Sequence, residues 1–97
     1  MRLFHLTTER DRDRLERDGF PRRATTAGRG DRHLMLGHQP APPEQTAMAY
    51  EHGLLVAVDV PDAVAQPFLR RDDPDADLFD VPADVLNVYA PFTYIAV

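Results

Sequence analysis

The sequence predicts an α+β fold: a single domain over residues 1–97, built as a bent, mainly antiparallel sheet with two short helices. Three observations predict it. A charged helical run separates two apolar, strand-like segments near the start; Leu54–Val60 is a nearly continuous apolar run; and short apolar segments broken by proline fill the last third. The resulting order, β-α-β-α-β followed by further β segments, is that of α+β domains rather than of alternating parallel units. A chain of 97 residues supports one hydrophobic core and is too short for two.

Arg2–Leu6 reads as the first strand, with Phe4 and the leucines suited to a pleated surface. Thr7 or Thr8 then caps a helix. Counted from Thr8, Asp11 falls at the third helical position, and Glu9 and Asp11 both face the positive end of the helix dipole. Leu15 is the one large apolar residue of this helix, so its buried stripe is narrow. Gly19 is expected to end it in a left-handed turn, folding Phe20 back onto the core.

Pro21–Asp31 carries no apolar residue larger than alanine beyond its proline. It reads as a loop that is long for so small a domain, a length often associated with binding lids. His33–Gly37 is the second strand. Pro43 suits the first turn of a second helix running to about Glu51, with Ala47, Met48 and Tyr50 available for packing and Gly53 as its breaker. Leu54–Val60 is the expected central strand. Beyond the turn at Pro61-Asp62, Val64–Leu69 reads as an edge strand interrupted by Pro67. Arg70–Asp77 is an acidic turn, and Leu78–Val81, Leu86–Tyr89 and Phe92–Val97 supply the last strands.

Composition removes several chemistries. There is no cysteine and no serine, which excludes thiol and serine nucleophiles and a disulfide framework. No apolar run approaches the ~20 residues of a membrane-spanning helix, and no secretion signal opens the chain, so the expected setting is cytoplasmic. Every basic residue is arginine, and the balance is uneven. Residues 1–32 hold nine arginines and six acids, whereas residues 33–97 hold two arginines and ten acids. Alternating signs over Glu9–Asp18 suit a solvated helix surface. Arg22, Arg23, Arg29 and Arg32 lie in an acid-poor stretch and are candidate phosphate contacts.

The four histidines, His5, His33, His38 and His52, show no metal-binding spacing, so no metal site is assigned. The most site-like feature is the His5-Leu6-Thr7 triplet at the end of the first strand. Residues two apart on a strand project to one side, which puts an imidazole and a hydroxyl together. The later phrase Leu78-Phe79-Asp80-Val81-Pro82 is expected to return as a strand beside the first.

These segments together resemble the ADP-ribosyltransferase-like superfamily, shared by NAD-dependent ADP-ribosyltransferases and RNA 2′-phosphotransferases. The resemblance rests on Phe4-His5-Leu6-Thr7 as the first-strand His-x-Thr, and on Leu15 with Asp18-Gly19-Phe20 as the following helix and turn. It continues through His33-Leu34-Met35-Leu36-Gly37-His38-Gln39-Pro40 as the second strand and Leu78–Pro82 with Leu86-Asn87 as the last motif. It implies NAD or a nucleotide-like ligand, and transfer at the nicotinamide ribose carbon. His5 would donate a hydrogen bond to the ribose and Thr7 would hold the nicotinamide end. Met35 stands where the family usually has a stacking aromatic residue, and Leu78 where it has a glutamate. Asp77 or Asp80 would then be the substitute carboxylate, and Arg23 or Arg32 would neutralise phosphate. The acidic second half also suits a non-catalytic interaction module such as an inhibitor, immunity or accessory protein, docking on a basic partner. A small-molecule tailoring enzyme on the same fold is a third alternative.

Overall fold

The computed structural model describes residues 1–23, 30–41, 53–72 and 77–96. Five strands form one sheet: β1 (Arg2–Thr7), β2 (Arg32–Leu36), β3 (Leu54–Asp59), β4 (Leu78–Pro82) and β5 (Thr93–Ala96). Their order is β4-β2-β1-β3-β5, and every pairing is antiparallel. Three short helices accompany them among the described residues: α1 (Glu9–Asp18), α2 (Asp62–Ala65) and α3 (Ala83–Asn87). The α+β class expected from the sequence is the class observed. The expected second helix, 43–51, lies outside the described residues.

The helix α1 forms as its sequence dictates. Thr8 is the N-cap, with an extended backbone and an Oγ1 that accepts the Asp11 N–H at 3.1 Å. Gly19 closes the helix at φ +76°, its N–H bonded to Leu15 O at 2.9 Å. Leu15 is the buried residue between them.

Register fixes which side chains share a face. Leu3, His5 and Thr7 of β1 stand opposite Val58, Val56 and Leu54 of β3, and His33 and Met35 of β2 stand opposite Val81 and Phe79 of β4. Leu15, Phe20, Ala83 and Leu86 pack with the residues of this face to close the main core. The opposite face carries Arg2, Phe4 and Leu6 on β1, Leu34 on β2 and Asp80 on β4.

Four expectations are corrected. Val64–Leu69 is not an edge strand. Pro61 precedes α2, and Pro67 sits in the first turn of a 3-10 turn, Gln66–Phe68, where its missing N–H costs nothing. Only Leu69 keeps a strand-like bridge, to Phe79, and Arg70 N–H donates to Leu78 O at 2.9 Å, covering the outer edge of β4. Leu86–Tyr89 is likewise no strand: Ala83 and Leu86, three residues apart, are the buried positions of α3. The last-motif strand β4 does not lie beside β1, because β2 runs between them. Finally, β3 is internal, but the middle position of the sheet belongs to β1.

Candidate functional site

His5 and His33 meet across the α1 face of the sheet. Their rings pack edge to face at 5.9 Å, and the Phe20 ring completes a triangle at 5.6 Å from His5 and 5.1 Å from His33. Alternation along β1 and β2 directs both imidazoles to this side, and Gly19 turns the chain so that Phe20 comes down onto them. Phe92 packs behind Phe20 at 5.2 Å.

Each imidazole is anchored through one nitrogen to a backbone carbonyl. His5 Nδ1 lies 2.9 Å from Leu34 O, and His33 Nε2 lies 2.7 Å from Pro21 O. A carbonyl only accepts, so these nitrogens carry the protons. In the neutral rings the lone pair then falls on Nε2 of His5 and on Nδ1 of His33.

The triangle borders a cavity of about 200 Å³ lined by His5, Thr7, Asp11, Arg14, Leu15, Gly19, Phe20, Pro21 and His33. Its floor is aromatic. Thr7 supplies a hydroxyl, and α1 contributes one carboxylate and one guanidinium. Among the described residues no cluster of three or more histidines and acids suited to a metal occurs.

Of the site residues expected from the sequence, His5 and Thr7 line this cavity. Met35 shares their face but is fully buried against Phe79, with no surface left for a ligand. Asp80 pairs across from Leu34 and so projects from the opposite face, where its carboxylate meets Arg70 at 3.5 Å. Asp77 immediately precedes β4, its carbonyl accepting the Gly37 N–H at 2.8 Å and its carboxylate 4.0 Å from His38. Arg32 also belongs to the far face, with its guanidinium 5.5 Å from the Phe68 ring. Arg23 is exposed and does not line the cavity.

Three polar or charged cavity residues were not among the expected site residues: His33, Asp11 and Arg14. His33 has the same strand parity as Met35, so placing β2 next to β1 in antiparallel register would have brought it to His5. Asp11 and Arg14 flank the buried Leu15 on one side of α1 at helical spacing. That signal was present, but alternating charge concealed it.

No protein-family model matches the chain, and neither a curated protein nor a solved structure matches it. Among the described residues, no helix is long and apolar enough to cross a membrane.

Proposed function

We propose that this protein binds the nicotinamide–ribose end of NAD, or of a closely related nucleotide, in the cavity between β1, β2 and α1. One observation carries the reading: two carbonyl-anchored imidazoles, a phenyl ring and the Thr7 hydroxyl converge on a single cavity. Aromatic edges and faces receive a flat heterocycle, and the Thr7 hydroxyl with the His33 lone pair offers hydrogen bonds to an amide or a diol. At about 200 Å³ the cavity is below the ~300–1,000 Å³ of sites that enclose a whole drug-sized ligand, so it takes one end of a nucleotide. The support extends to binding. Transfer through Asp77 or Asp80 has no such support, because neither carboxylate lines the cavity.

The test is an amide NMR titration with NAD, with ADP-ribose, which lacks the nicotinamide, as the control. Saturable shifts at His5, Thr7, Phe20 and His33 are expected with NAD, and weaker ones with ADP-ribose. Absence of shifts at millimolar NAD sinks the reading.

A further inference from the structure

Resting on that reading, we propose that Arg14 recognises the 5′-phosphate of the bound nucleotide at the mouth of the cavity. Among the described residues, Arg14 is the one cation that lines it. Most of the other described arginines are already engaged. Arg2 pairs with Asp59, Arg12 with Glu9 and Glu16, Arg17 with Asp18, Arg22 with Asp84, and Arg70 with Asp72 and Asp80. Arg14 joins no ion pair among the described residues.

Its place on α1 explains why it reaches the ligand. Asp11, Arg14 and Leu15 lie three and four residues apart on one side of the helix, and Leu15 is buried against the sheet. Arg14 is therefore held beside the cavity while its guanidinium stays exposed. With the heterocycle against Phe20 and the histidines and the ribose near Thr7, the next group outward is the 5′ substituent. A planar guanidinium matches phosphate through paired N–H donors. Arg23 and Arg32 do not line the cavity and are not needed for this contact.

Asp11 works in the opposite sense. Its carboxylate borders the same cavity and repels a phosphate at the mouth. Arg14 and Asp11 together make the affinity for a phosphorylated ligand sensitive to two substitutions of opposite sign.

The experiment compares nicotinamide mononucleotide with nicotinamide riboside, which differ by the phosphate, by NMR titration of the full chain at low salt. The mononucleotide should bind about fivefold more tightly, the scale of an exposed ion pair, with the gap shrinking as salt rises. Arg14→Gln should bring the ratio of the two affinities close to one, and Asp11→Asn should widen it. Circular dichroism of both variants confirms that α1 remains folded. Equal affinities in the native protein, or an unchanged ratio in Arg14→Gln, overturn the role of Arg14 while leaving the cavity reading intact. If neither compound binds, the cavity reading falls and the role of Arg14 falls with it.

Discussion

Asn87 clasps the backbone of Phe20 on both sides. Its Oδ1 accepts the Phe20 N–H at 2.7 Å, and its Nδ2 donates to the Phe20 carbonyl at 3.0 Å. The two residues are 67 apart in sequence, so this single amide ties the end of α3 to the turn that follows α1. The approach is close enough that a Cβ built on Gly19 would stand 2.5 Å from Oδ1 of Asn87. Phe20 is 2% exposed and forms one wall of the cavity, so the clasp also sets the cavity's shape.

Replacing Asn87 with alanine strips the partners from two part-buried backbone groups, the N–H and the C=O of Phe20. The expected loss is about 1–3 kcal/mol of stability, measured by urea unfolding. Amide shifts at His33 and Pro21's neighbours should accompany it, because the Pro21 carbonyl that anchors His33 follows directly on Phe20. A loss below the error of the measurement would refute the clasp.

Asp80 is a structural residue in this geometry. Its carboxylate is nearly buried and lies 3.5 Å from Arg70 Nε, which is itself covered from solvent. Asp80→Ala removes the nearest carboxylate from the covered Nε while Asp72 still pairs with the same guanidinium at 3.3 Å, and a destabilisation of about 1–3 kcal/mol is expected in thermal or urea unfolding. NAD-dependent shifts at His5 and Thr7 should persist in any Asp80 variant that folds, since the two sites lie on opposite faces of the sheet. Their selective loss in a stably folded Asp80→Asn protein would return Asp80 to the ligand site.

The Tyr94 phenol ionises above its ordinary value. Burial pushes its phenol above the ordinary value, the Glu16 carboxylate adds to the rise, and Arg12 opposes it. Its hydroxyl is covered and has no hydrogen-bond partner among the described residues. Because the folded-state value is raised, the tyrosinate form favours unfolding. Stability is complete below the unfolded-state value near ~10 and falls as pH rises through the folded-state value. The difference between ultraviolet titrations of the native protein and Tyr94→Phe should isolate a phenol component displaced above the ordinary tyrosine value near ~10. Removing an unpartnered buried hydroxyl should also leave the protein as stable as before, or more stable by up to about 1 kcal/mol.

Arg2 and Asp59 close the far end of the β1–β3 ladder through a pair of hydrogen bonds at 2.9 and 3.2 Å. The hydrogen bond from Arg2 holds the Asp59 carboxyl below the usual carboxylate range. A depressed folded-state value contributes stability that is present above the unfolded-state value near ~3.9 and is lost as pH falls through the folded-state value. Unfolding midpoints followed from pH 6 downward should therefore decline less steeply in Asp59→Asn than in the native protein. Since the pair is exposed, the difference should also shrink in salt.

Local rules made much of the architecture legible. The Thr8 cap, the Gly19 stop, the apolar run of β3 and the strand carrying His5 and Thr7 each depend on residues adjacent in sequence, and the structure has all four. The misread segments were short. Val64–Leu69 and Leu86–Tyr89 contain too few residues for a helical period to be told from a strand, and the prolines in or beside them permit either a helix start or a strand break.

The sequence by itself determined the α+β class, the charged helix α1 and the pairing of His5 with Thr7 on one strand face, because each follows from chain geometry over a few residues. Only the tertiary structure decided that β2 separates β4 from β1, which places His33 beside His5 and sends Asp80 to the other face. It also decided that Asn87 reaches Phe20 across 67 residues. The physical reason is the same in each case: strand order and side-chain contacts between distant segments are set by how the whole core packs, and no local propensity encodes them.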